Sequence, residues 1–174
     1  MKQVEIFCKN TATSHIYPLG TSLLEISNDL NIKLENTVCG AIVNNQIREL
    51  SFCVVKPKQI EFIDISHPDG RRLYIRSLIF VLYVAVKETF PDVCLKIQNG
   101  ISNGYFFELN GFHRPITDSD VFTIIQEMKS IIDQDIPFVK KRMLSTEAIE
   151  LLKNQGLTEK AQLFEQQGNL FSSL

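Results

Sequence analysis

The chain has 174 residues, 18 Lys and Arg against 20 Asp and Glu, a net charge of −2 and a pI near 5.9. That balance excludes a protein that grips nucleic acid over its whole surface, but it leaves room for a local basic patch. A hydrophobic fraction of 44% suits a globular chain of one large domain or two small ones.

The first 65 residues read as a compact α+β unit. VEIFC (4–8) alternates like a strand, and HIYPLG (15–20) follows a polar turn as its hairpin partner. In GTSLLEISNDLNI, Ser22 and Glu25 fit the S-x-x-E capping box, and Leu23, Leu24, Ile26 and Leu30 give the ensuing helix an apolar face. CGAIVNNQIRELSF predicts two short strands about an Asn44-Asn45 turn, where both asparagines can take positive φ. QIEFIDI (59–65) is a further strand. Strand, strand, helix and three more strands suit a β-grasp, a mixed sheet wrapped over one helix.

HPDGRR (67–72) reads as a turn and a domain junction, because Pro-Asp-Gly punctuates two periodic segments. A helix is expected from about Arg76 to Thr89, apolar nearly all round and therefore buried on most sides. Its wholly apolar stretch, Leu78 to Val86, is about half the roughly 18 residues a membrane helix needs. With no secretory leader after Met1, a soluble cytoplasmic protein is expected.

CLKIQNGISNGYFFEL gives two strand-like pieces. Next comes a helix capped by Thr117, with Asp118 and Asp120 at its positive end and Val121, Ile124, Ile125, Met128, Ile131 and Ile132 along one face. IPFVKKRML (136–144) reads as a strand, followed by short helices at about 146–154 and 158–166 with Gly156 and Gly168 as stops. Cys8, Cys39, Cys53 and Cys94 form no C-x-x-C pair and read as reduced thiols, Cys39 and Cys53 lying in apolar runs. His15, His67 and His113 are scattered without ligand spacing, so no metal site is expected.

YPLGTSLLEI and AIVNNQIREL carry a resemblance to TGS domains, the β-grasp modules of threonyl-tRNA synthetases, certain GTPases and stringent-response enzymes. Residues 69 to about 165 resemble the domain that follows TGS in threonyl-tRNA synthetases, the second additional domain shared with alanyl-tRNA synthetases. Ser77, Leu82, Phe90-Pro91, Asn103 to Phe106, Thr117, Asp120 and Glu147-Ala148 stand at that family's motif positions. The resemblance implies an α+β chain with a TGS domain at 1–66 and an editing-like domain at 67–174, cut short at its C-terminal end.

The departures bear on function. Arg76 and Phe80 stand where the resemblance places the two histidines of H-x-x-x-H, and the later C-x-x-x-H half of that site is absent. Histidines at i and i+4 share a helix face and can hold a metal or move a proton. Arginine presents only donors, and phenylalanine has no ligand atom. Deacylation of mischarged tRNA is therefore not expected. Phe80 is expected to fill the vacated space and extend the core.

The strings IFCKNT, YPLGTSLLEI, RSLIFVLYVAV, SNGYFF and DIPF also resemble the amino-terminal part of uridine kinase-like nucleoside kinases. That resemblance implies a regulatory or RNA-sensing region, with NLFSSL as a boundary inside a longer chain. The chain has no G-x-x-x-x-G-K-[ST], so ATP and Mg²⁺ would belong to a downstream kinase domain, itself the implied partner, and no cofactor to this part. The alternatives are an editing-inactive threonyl-tRNA synthetase region and a freestanding protein-interaction adaptor. Candidate ligand or RNA contacts are Arg71, Arg72, Arg76, Ser77, Asn103 and Tyr105; neither DNA nor a membrane is an expected partner. For each candidate a plain structural role stands beside the binding one. The same holds for the short basic run Lys140, Lys141 and Arg142.

Overall fold

A computed structural model describes residues 2–101, 104–139, 141–167 and 171–173. The chain divides into two compact units, Met1–Asp133 and Gln134–Leu174. It is an α+β protein with five helices among the described residues.

The first unit begins with β1 (Gln3–Cys8), β2 (Thr13–Pro18), α1 (Leu23–Asp29), β3 (Gly40–Val43), β4 (Gln46–Arg48) and β5 (Lys58–Ile63). The strands form one mixed sheet in the order β2-β1-β5-β3-β4. β1 and β5 run parallel at its centre, and the other pairings are antiparallel. The mixed sheet with one helix over it is the β-grasp arrangement that the order of elements along the sequence suggests. Alternation sets the buried face: Val4, Ile6 and Cys8 of β1 point inward with Ile60 and Phe62 of β5, and Leu23 and Ile26 of α1 close over them. Ser22 caps α1 as a reciprocal box, its Oγ accepting from Glu25 N and Glu25 Oε2 accepting from Ser22 N. Asn44 and Asn45 both take positive φ in the β3–β4 turn.

The same unit continues with α2 (Pro68–Thr89), β6 (Cys94–Ile101), β7 (Gly104–Asn110) and α3 (Asp118–Asp133). β6 and β7 form an antiparallel hairpin with an irregularity between Ile97 and Gly100. A second core gathers Ala85 and Val86 of α2, Leu95 and Leu109 of the hairpin, and Ile124 of α3.

Several expectations are corrected here. HPDGRR is not a turn: α2 starts at Pro68, eight residues before Arg76, with His67 as its cap. Proline is tolerated at the first helical position, where its missing N–H costs nothing, and Asp69 suits the positive end. α2 is not buried on most sides, since only Gly70, Ala85 and Val86 are fully covered. On α3, Ile124 is the buried residue of the predicted stripe, while Val121, Ile125 and Ile132 are exposed. Cys53 is exposed rather than a core hydrophobe.

The second unit holds β8 (Arg142–Leu144), α4 (Ser145–Asn154), α5 (Thr158–Gln167) and β9 (Phe171–Ser173). Within 136–144 only Arg142–Leu144 is strand, pairing antiparallel with β9; Lys140 lies outside the described residues. Ala148 and Leu152 of α4 and Ala161 of α5 are buried, and Lys153 pairs with Glu165 across the two helices at 2.8 Å. Gly156, at φ +73, separates them as expected, whereas Gly168 lies outside the described residues.

Candidate functional site

α2 carries four of the six candidate residues, and helix geometry decides which can act together. At about 100° per residue, positions 72, 76 and 80 follow one another along one flank. Arg71 lies about 140° round the helix from Arg76 by the same spacing. The three arginines therefore do not share one face: Arg72 and Arg76 do, with Phe80 one turn further.

Arg72 is partly engaged, donating to Asp69 Oδ1 at 2.8 Å. The guanidinium groups of Arg71 and Arg76 are exposed and make no hydrogen bond or ion pair among the described residues. Ser77 spends its hydroxyl inside the helix, donating to the Leu73 carbonyl at 3.3 Å. No base bonds to it among the described residues.

Phe80 is 55% exposed, so it does not extend the core as expected. The covered stripe of α2 runs through Leu82, Ala85 and Val86, roughly opposite position 80 on a 3.6-residue helix. On this flank Arg72 and Arg76 are exposed, and Phe80 is about half exposed.

Tyr105 sits on β7 opposite Gly100 and is about half exposed, as are its neighbours Phe106 and Phe107. No hydrogen bond, ion pair or ring contact joins Tyr105 to Arg76 or Ser77 among the described residues. Asn103 lies outside the described residues.

A cleft of about 480 Å³ opens elsewhere, between residues 89–93 and 111–114. Phe90 and Phe112 meet there edge to face at 4.9 Å, and the Arg114 guanidinium lies 5.5 Å from the Phe112 ring centre. Arg114 forks onto Asp120 at 2.6 and 2.7 Å, while Asp120 also accepts from the Thr117 N–H and hydroxyl. These bonds, the Arg114 fork first, hold the Asp120 carboxyl far below the usual carboxylate range. Arg114 was not among the sequence candidates. Only the T-x-x-D cap signalled its partner, and its charge is used to seat the first turn of α3.

Chemically, the α2 flank offers cationic donors and an exposed ring. It has no nucleophile paired with a base, and its residues are unsuited to ligating a metal. It can attract and stack; nothing in it can abstract a proton.

No family model matches the chain. Among curated proteins it is similar to a threonine–tRNA ligase of Desulforamulus reducens, 31% identical over 147 residues, which are 84% of this chain and 23% of the relative. The threonine–tRNA ligase of Syntrophomonas wolfei is 31% identical over 149 residues, 86% of this chain and 23% of that protein. A third, from Caldanaerobacter subterraneus subsp. tengcongensis, is 28% identical over 154 residues, 88% and 24% of the two chains. The chain thus spans about a quarter of the length of the curated relatives it matches. The similarity is to their amino-terminal regions, which supports the synthetase-like reading. None of these relatives is a nucleoside kinase, so the kinase resemblance gains no support from them.

Proposed function

We propose that the chain is a non-catalytic amino-terminal region of the threonyl-tRNA synthetase type, in which the flank of α2 binds RNA and no longer edits it. This reverses the order of the sequence-based expectations: the synthetase region, there the alternative, is favoured by the relatives over the nucleoside kinase. The observation that carries the proposal is the pair Arg76 and Phe80, both exposed one turn apart where the resemblance places two histidines. An arginine beside an exposed ring suits a phosphate next to an unstacked base. Neither residue suits hydrolysis.

The test uses the full 174-residue chain, with labelled tRNA and short single-stranded RNA titrated at low and physiological salt. Salt-sensitive binding that is weakened in Arg72→Ala/Arg76→Ala supports the reading. Binding unaffected by the double variant, or none at either salt, removes it. Hydrolysis of mischarged tRNA by the chain would also overturn it.

A second reading keeps the same two-part region but sets it ahead of a nucleoside kinase domain, which would take ATP, Mg²⁺ and a pyrimidine nucleoside. Its support is the run RSLIFVLYVAV together with the replacement of both histidines. The sequence of the full-length parent separates the two, through a phosphate-binding loop or a synthetase core. Either reading suits a cytoplasmic protein. No described helix is long and apolar enough to cross a membrane.

A further inference from the structure

The segment between β5 and α2 has the sequence of a linker and the packing of a core. Ile63 ends the strand and Pro68 opens the helix, leaving 64–67 to make the connection. Asp64 is buried. Its carboxylate accepts from the Asn36 N–H at 2.8 Å, the Ser66 N–H at 2.9 Å and the Ser66 hydroxyl at 2.5 Å. Its carbonyl accepts from His67 N at 3.2 Å, and His67 Nδ1 in turn accepts from Asp69 N at 3.2 Å.

Two glycines let the helix approach. A methyl group on Gly70 would lie 1.9 Å from the Asp64 carbonyl oxygen and 3.1 Å from the Cys39 sulfur. One on Gly40 of β3 would lie 2.5 Å from the Leu73 side chain, one turn along α2. The Cys39 thiol donates to the Gly70 carbonyl at 3.5 Å. Domain linkers are exposed and few contacts cross them. Here the first two turns of α2 are seated on β3 through Leu73 and on the exit of β5 through Gly70, with no room for a side chain at Gly40 or at Gly70.

We propose that this seat is a hingeless joint that makes the β-grasp and α2 one rigid recognition body. Arg76 stands six residues beyond Gly70, about 9 Å along the helix axis. A ligand that engages the sheet therefore meets the Arg72–Arg76 flank at a fixed distance and angle. No domain closure at residues 64–67 is available to bring them together. The inference does not depend on what the flank binds.

The test is residual dipolar couplings of backbone amides in the full chain, fitted separately for residues 3–63 and 68–89. One alignment tensor, equal in axes and magnitude for both segments, is expected. Two different tensors in the unsubstituted chain would overturn the joint. Gly70→Val should split the tensors while the amide spectrum of residues 3–60 persists. An unsplit tensor in that variant would show that the Gly70 contact locks nothing. Should the variant not fold, Gly40→Ala with and without Leu73→Ala reads the same seat: the loss in melting temperature should shrink when Leu73 is shortened. An equal loss in both backgrounds counts against it.

Discussion

Arg76 and Phe80 lie one helical turn apart on the solvent flank of α2, about half a turn from the stripe that packs into the core. Because Arg76 makes no ion pair among the described residues, its charge is available to a phosphate. Arg76→Ala should therefore weaken RNA binding and reduce the slope of log K against log salt by about 0.7 to 0.9 for the one contact removed. Arg72→Ala should do less, since Asp69 already holds part of that charge. Equal slopes for Arg76→Ala and the unsubstituted chain would show that Arg76 touches no phosphate.

Phe80 and Phe62 make a matched pair for stability. Phe62 is 2% exposed in the β-grasp core and Phe80 is 55% exposed. Phe62→Ala should cost about 3–5 kcal/mol, the range for emptying an aromatic site. Phe80→Ala should cost no more than about 1 kcal/mol, as surface substitutions do. Urea titrations of both variants by circular dichroism check this, and comparable losses would mean that position 80 is covered.

How far the sequence carries depends on whether the deciding contacts are local. The Ser22–Glu25 box, the Asn44-Asn45 turn and the Thr117–Asp120 cap each close within three residues, and all are legible. The start of α2 is not. Pro-Asp-Gly favours a turn by local rules, and the helix it forms instead packs Gly70 on the Asp64 carbonyl and on Cys39, which is 31 residues away in sequence. The exposed side of α2 is equally hidden. A helix apolar nearly all round does not say which flank its neighbours cover, so the sequence alone places Phe80 in the core. Of the candidate site, the pairing of positions 76 and 80 was legible from i, i+4 spacing. The separation of Arg71 from them was not, because it required the helix to begin before residue 71.

The β3–β4 turn offers a local test. Asn44 and Asn45 both have positive φ, but among the described residues only the Asn44 side chain is used, accepting from Gln59 N at 2.8 Å. Asn45→Gly should be neutral or stabilising by up to about 1 kcal/mol, since Gly takes positive φ without strain. Asn44→Gly should lose about 1 kcal/mol through the missing acceptor. Thermal melts of the two variants moving in the same direction would contradict the distinction.

Asp64 supplies a pH signature for the joint. The Ser66 hydroxyl, then the backbone N–H of Asn36 and of Ser66, lower its pKa from the usual 3.8 to about 2. The Cys39 thiol nearby responds in the opposite sense, with burial first and the Asp64 charge second raising its pKa. A carboxylate whose folded pKa is depressed contributes stability that is complete above its unfolded value. That contribution is lost as the pH falls through the folded value. The window for Asp64 therefore runs from about pH 4 down to about pH 2. Asp120, held lower still by Arg114, contributes over the same descent in both proteins compared and so cancels. Asp64→Asn should melt below the unsubstituted chain at pH 6, and the gap should narrow steadily between pH 4 and pH 2. Melting curves at half-unit pH steps measure it. A gap that stays constant down to pH 2 would mean the charge on Asp64 does not hold the β5–α2 connection, leaving that task to its carbonyl and to Gly70.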